Sequence, residues 1–283
     1  MDSNNRSMKS GMVAQVQSAG YTAQPVASRR RSGLVAGILA GLVVMAVLVA
    51  VWAVLWLMGA TKAFDRLASV KVGPLLVESN AVPVGKAEAV AVTVEMGQGT
   101  LTLQGGAGDL LNADFNYNVN AWKPIVTYNE SSTQGALNIG QAHSEGFIRT
   151  PDGVRNDWSL RLKDGLPMTL SASLGAGSST IKLDGLSVSK LDLSSGAGET
   201  TLDLTGNWKH NLEATLRTGI GDTTIRLPQD VGVRLTIDGG LSNVSTGGLN
   251  HNGKYYTNDA YGKTPVTVEI TVQSGIGSVK IER

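Results

Sequence analysis

The residues best suited to proton transfer or metal binding near neutrality are three histidines, His143, His210 and His251. They are far apart in the chain, and none has a second histidine at the short spacing that brings two ring nitrogens to one ion. Surface or turn positions are therefore their expected place. The sequence contains no cysteine, which excludes disulfides, thiolate zinc sites and cysteine nucleophiles. Serine is plentiful, but no Gly-x-Ser-x-Gly elbow sets one at a strand-to-helix turn, so no serine is assigned as a nucleophile. Gly198-Glu199 and Gly221-Asp222 are similar to the glycine-acid steps of calcium-binding repeats, yet those recur every nine residues or so and these do not. A stacked Glu199 and Asp222 pair is the arrangement that would attract a cation. Gly-Ala-Gly steps lack the third glycine, following helix and later ribose acid of a dinucleotide loop. The reading thus assigns no catalytic, cofactor-binding or metal-ligating residue, implies no cofactor, and expects a non-enzymatic protein.

What the glycines do is organise the chain. A Gly-x-Gly step recurs between two short runs of alternating apolar residues, and five copies align without gaps on Gly97, Gly175, Gly196, Gly219 and Gly275. Three residues before the glycine stand Val94, Ala172, Leu193, Leu216 and Val272; six after it stand Leu103, Ile181, Leu202, Ile225 and Ile281. Apolar positions differ by two, which is the strand period, so each copy reads as strand, glycine corner, strand. The central copies are 21 and 23 residues apart, a length that suits one coil of a β-solenoid (a β-helix-like stack) with about three short strands per turn. In such a stack Thr180, Thr201 and Thr224 form a ladder, and Lys182, Asp203 and Arg226 alternate in sign beside it. An antiparallel hairpin sandwich turning at each glycine would carry the same alternation. Composition agrees with an all-β domain: 35 glycines against three phenylalanines, with Val, Ile, Leu and Thr in short runs.

The stretch 110–163 is less regular than the repeats at 168–283 and holds most of the aromatics: Phe115, Tyr117, Trp122, Tyr128, Phe147 and Trp158. Large rings there would suit a plug for the terminal coil.

Ahead of the β-rich part, Gly33 to Ala60 is 28 residues without a charge, where about 20 suffice for a membrane-spanning helix. Arg29-Arg30-Arg31 precede it, and the positive-inside rule then puts the N-terminus in the cytoplasm and the β domain outside. A cleaved signal peptide would have an apolar stretch of only about 7–15 residues, with its basic residues nearer the start. The expected organisation is a disordered cytoplasmic tail at 1–32, a transmembrane helix at 33–60, a juxtamembrane linker at 61–76 and a β domain at 77–283. Net charge is +1, and the +4 carried by residues 1–32 leaves −3 for the rest. A mildly acidic domain lacks the basic stripe that nucleic-acid binding needs, so no nucleic-acid partner is expected. The expected partners are membrane lipid, through the span, and an envelope protein or cell-wall polymer.

LLNADFNYNVNAWKPIVTY (Leu110 to Tyr128), NDWSLRLKDGLPMTLSASLGAG (Asn156 to Gly177) and LDLSSGAGETTLDL (Leu191 to Leu204) resemble the bacterial toast-rack family, itself similar to the C-terminal domain of cell-wall-active antibiotic response proteins. The resemblance covers about residues 77–283, with Ala121-Trp122-Lys123-Pro124 its most specific part. It implies a β-solenoid-like domain tethered to the envelope and offers no catalytic residue to carry over. Relatives in the antibiotic-response group act with two-component sensor kinases and typically have several spans; this chain has one. The expectation is an envelope scaffold, with regulation of envelope-stress signalling as the second reading and a polysaccharide-acting β-helix enzyme as the third.

Overall fold

The structure is a computed structural model that describes residues 71–141, 152–239 and 243–283. The regions read as tail (1–32), span (33–60) and most of the linker (61–70) lie outside the described residues, as do His143 and Phe147. Among the described residues no helix is long and apolar enough to cross a membrane.

The described chain runs through β1 (Leu76–Val82), β2 (Ala89–Ala107), β3 (Leu111–Tyr117), β4 (Pro124–Ser131), β5 (Gln134–Gln141), β6 (Asn156–Lys163), β7 (Pro167–Lys182) and β8 (Ser187–Asp203). It continues through β9 (Leu212–Ile220), β10 (Thr223–Arg226), β11 (Gly232–Gly239), β12 (Asn243–Ser245), β13 (Asn250–Asn252), β14 (Tyr255–Thr257), β15 (Thr267–Ile276) and β16 (Ser278–Glu282). A 3-10 turn at Asn120–Trp122 precedes β4. Alternation makes these strands: Val90, Val92, Val94 and Met96 of β2 are buried, while the residues between them are exposed or half-buried.

Each long strand bends at its Gly-x-Gly step, so its two halves belong to different walls. The first half of β2 pairs with β5 and its second half with β6, on one flank; on the far flank of β8 the halves pair with β9 and β10. Along one wall the strands run β4, β5, β2, β7, β8, β9, β15, β11, β14, β13; along the other they run β1, β3, β6, β2, β7, β8, β10, β16, β12. The central pairs are all parallel. The five copies therefore coil upon one another in the register that their alignment predicts, and antiparallel pairing is confined to the ends, at β1-β3-β6, β4-β5 and β11-β14-β13. A hairpin sandwich is not what this sequence builds, and each coil holds two strand segments, one in each wall, rather than the expected three or so, because only the glycine step and one return turn bend the chain.

Stacked corners explain the glycines. A Cβ on Gly177 would sit 1.9 Å from the Gly99 carbonyl oxygen, and one on Gly198 would sit 1.8 Å from that of Gly177. Both residues also have positive φ, 126° and 128°, a region closed to most side chains. From the second copy on, the first glycine of each step is required on distance alone: a Cβ at Gly196 or Gly219 would lie 2.3 or 2.2 Å from the carbonyl below.

Strand order departs from chain order at both ends: β6 and β5 lie ahead of β2, and β14 lies between β11 and β13. The C-terminal pair β15-β16 inserts between β9-β10 and β11-β12. The register of β15-β16 against β11-β12 is offset by 35 both at Gly239 opposite Ser274 and at Asn243 opposite Ser278. β11 and β12 thus form the two halves of a sixth copy beyond the last recognised one; at the same offset the sequence has Gly240 and Ser242, which hides the copy from a Gly-x-Gly search, and these two residues lie outside the described ones.

Between the walls lies one apolar core running from Ala87 to Ile281, which also takes in Leu183, Leu204 and Leu227 from the return turns. Phe115, Tyr117 and Trp158 fill its N-terminal end, with Tyr128 packed against it, where β3 and β6 extend one wall and β4 and β5 the other. Phe115 meets Trp158 edge to face at 5.3 Å between centroids, and Trp122 is buried. Asn156 closes the glycine column there: its amide donates to Gln98 O at 2.7 Å and Gln141 Oε1 at 2.9 Å, and its own side-chain oxygen accepts from Trp158 Nε1 at 2.9 Å.

Candidate interaction surface

With one face of each wall committed to the core, the opposite face is what the protein presents. Thr102, Thr180, Thr201 and Thr224 stand side by side on β2, β7, β8 and β10, and the row continues to Ser159 on β6 and Lys280 on β16. The threonine ladder is thus longer than its three sequence-predicted members. One pleat further along, Lys182, Asp203, Arg226 and Glu282 alternate in sign across four strands. Arg226 donates Nε–H to Glu282 at 2.9 Å and lies 3.6 Å from Asp203. Lys280, at 2.7 Å, and Arg226 together hold the Glu282 carboxyl below its usual range.

The other wall shows Ser171, Asp192, Thr215, Thr271 and Thr236 in a row across five strands. Asp192 is flanked by Lys190 and Arg217, each at 3.7 Å. Arg234 pairs with Glu269 at 2.7 Å and lies 5.3 Å from the centroid of the half-exposed Tyr255 ring. Beside them a shallow groove of about 290 Å³ is lined by Ser189, Asn211, Leu212, Glu213, Thr267 and Glu269. Both walls offer short hydroxyls and paired charges on a backbone that cannot flex far. Such a surface suits hydrogen bonding to an extended polar partner.

The two described histidines each have their own partners within the fold. His210 Nε2 lies 2.8 Å from Ser187 Oγ and its Nδ1 3.1 Å from Asn211 O, so both ring nitrogens are engaged within the fold. His251 stacks on Tyr256 at 4.6 Å. The pairing of β8 with β10 sets Glu199 beside Asp222 on neighbouring strands. Asp222 accepts from the Ser278 hydroxyl and, at 3.2 Å, from the Ser278 backbone N–H, and these bonds hold its carboxyl below the usual range. Among the described residues no group of three or more His, Asp or Glu could hold a metal ion.

Sequence reasoning missed a feature just inside the corner. Ser179, Ser195, Thr200, Thr218, Thr223 and Ser274 point into the core and are buried. Ser179 donates to Thr200 at 3.3 Å and Thr223 to Thr218 at 3.4 Å, whereas Ser195 Oγ and Ser274 Oγ have no hydrogen-bond partner among the described residues. The signal was present as a hydroxyl at the apolar parity of the repeat.

This architecture defines a two-walled β-solenoid, a repeat scaffold whose stacked corners are made of glycine. Residues 72–226, more than half of the chain, match the family described as the N-terminal domain of toast_rack, and the chain belongs to that family. Residues 176–281 match the C-terminal domain of the cell wall-active antibiotics response protein LiaF. A crystal structure of a candidate cell adhesion protein from Clostridium sporogenes ATCC 15579 is similar at 28% identity and a TM-score of 0.72, covering 74% of this chain and 99% of that one. A candidate adhesin from Bacteroides fragilis NCTC 9343 aligns over 75% of this chain and 99% of its own, at 10% identity and a TM-score of 0.27, too low to carry an argument. No curated protein matches the sequence.

Proposed function

We propose that this chain is a single-pass membrane protein of the cell envelope whose β domain stands outside the cytoplasm as a non-enzymatic scaffold that binds an envelope protein or cell-wall polymer. The observation that carries the reading is the six-strand hydroxyl row from Ser159 through the threonine ladder to Lys280, with the alternating ion pairs beside it. Similarity to the Clostridium cell adhesion candidate supports a surface role, and the uncharged run at 33–60 behind three arginines supports the anchor and its orientation. The test has two parts. Protease added to intact spheroplasts should digest a C-terminal tag and spare an N-terminal one; the reverse pattern refutes the orientation. Detergent-solubilised full chain should co-sediment with isolated cell-wall sacculi, and Thr180→Asp/Thr201→Asp should lower that binding at least tenfold.

A second reading is regulation of envelope-stress signalling, favoured by the match of residues 176–281 to the LiaF C-terminal domain. Deleting the gene would then change the output of a two-component reporter under cell-wall stress, while the Thr180→Asp/Thr201→Asp variant would leave it intact.

A further inference from the structure

The middle residue of each Gly-x-Gly step points away from the core, onto the crest where the walls meet. Register places Gln98, Ala176, Ala197, Ile220 and Ile276 on this crest on successive strands. Ile220 and Ile276 are direct neighbours, 60% and 63% exposed; the other exposed large aliphatics among the described residues, Val72, Leu75, Val77 and Ile125, lie on or ahead of the end strands β1 and β4 and not on the glycine corners. The corner does not demand them, since Ala176 and Ala197 occupy the same step with the same backbone. Against the crest, on the wall that carries Asp192, lies a shallow groove of about 450 Å³. Its polar bank is Ser173, Ser194, Arg217 and Gln273, with the Arg217 side chain 54% exposed.

We infer that the Ile220–Ile276 crest seats in the lipid–water boundary of the bilayer that anchors the chain, with the Arg217 guanidinium meeting lipid phosphate. The inference rests on the anchor proposed above. Two isoleucines offer on the order of 100 Å² each, whereas a stable protein interface needs roughly 1,000 Å² with matching shape. A narrow convex apolar crest lacks that area for a protein partner, but acyl chains and headgroups rearrange around it. Ten residues, 61–70, separate the uncharged run and its flank from the described domain, and a chain of that length reaches at most about 35 Å. A tether this short keeps the domain at high effective concentration over the membrane, so a weak contact suffices.

The absence of cysteine makes the test clean. Full-length Ala197→Cys, labelled beside the crest with an environment-sensitive fluorophore, is reconstituted in phosphatidylcholine vesicles containing a fifth phosphatidylglycerol. Thr169→Cys, on the outer face of a wall, serves as the control site. The expected result is a blue-shifted emission at 197, quenched at least twofold by spin-labelled acyl chains, with site 169 unaffected; adding Ile220→Ser/Ile276→Ser abolishes the quenching. A vesicle-bound chain whose site 197 is no more quenched than site 169 overturns the inference while sparing the anchor. Shielding at 197 that rises with protein density but is insensitive to lipid quencher assigns the crest to a second copy, which also overturns it. Release of the unlabelled chain from vesicles by alkaline carbonate refutes the anchor and removes the docked corner with it.

Discussion

Gly198 shows how little room a single residue has in this fold. Its would-be Cβ lies 1.8 Å from a backbone oxygen, and its φ is 128°, so Gly198→Ala should cost about 3 kcal/mol or more. Gly108, with no atom within 4 Å of its would-be Cβ and no positive φ, is the matched control: Gly108→Ala should be neutral or stabilise by up to about 1 kcal/mol through the unfolded chain. Urea titration of both variants checks the contrast. A second residue-scale prediction concerns Tyr117, which donates to Glu78 Oε1 at 2.6 Å. Burial, then the bond to Glu78 and its charge, push the phenol up to about 12 from an ordinary 10. The fold favours the neutral phenol, so this contribution is whole below pH 10 and drains away as pH rises towards 12. Glu78 runs the other way. The bonds from Tyr117 and Lys123 lower its pKa, so its contribution is present above its ordinary value of 4.5 and is lost as pH falls below it. Tyr117→Phe should shrink the alkaline leg in a plot of denaturation midpoint against pH to the part left by Tyr128, whose phenol is also raised by burial and by Glu130; a leg of unchanged size refutes the assignment.

Among elements, β15 is paired on both flanks, with β9 and with β11, and is the link through which β11 joins the rest of its wall. Val272→Pro removes a ladder donor from the middle of that sheet and buries a clash, so soluble folded protein should not be recovered. Ser79→Pro, on the edge strand β1, which pairs with β3 alone on the path, should still give a folded species by circular dichroism and gel filtration. The ion-pair row is a weaker element: Arg226 is half-exposed and its charge is screened by solvent, although Asp203 is mostly covered, and Arg226→Met should cost about 1 kcal/mol. The strand halves, their inward parity and the glycine corners were legible from the period of two and the Gly-x-Gly step. The sixth copy was not, because it keeps one glycine, and the insertion of β15-β16 was not, because pairing order leaves no trace in periodicity. The crest escaped for a related reason: Ile220 and Ile276 read as ordinary strand residues until the corner turns them outward.

At the scale of the domain, one core spans every coil from Ala87 to Ile281, and each coil buries its apolar edge only against the next. Unfolding of the β domain should therefore be cooperative, with fluorescence of the buried Trp158 and backbone dichroism following one transition in urea. Separate midpoints would show that the aromatic-filled end melts independently of the coils. Formation should be slow for a domain of this size, since β9 must wait for β15, whose paired residues lie 56 positions later (Leu212 opposite Val268).

From the sequence alone came the facts that depend on local chemistry: strand parity, from alternating apolar residues; corners, from glycine pairs; and an uncharged run long enough to span a bilayer. Only the tertiary structure decided which strand lies beside which, because parallel pairing joins residues far apart in the chain through backbone groups that every residue carries. That pairing turned separate threonines into one row, set Asn156 across the end of the glycine column and brought Ile220 beside Ile276, a neighbour 56 residues away.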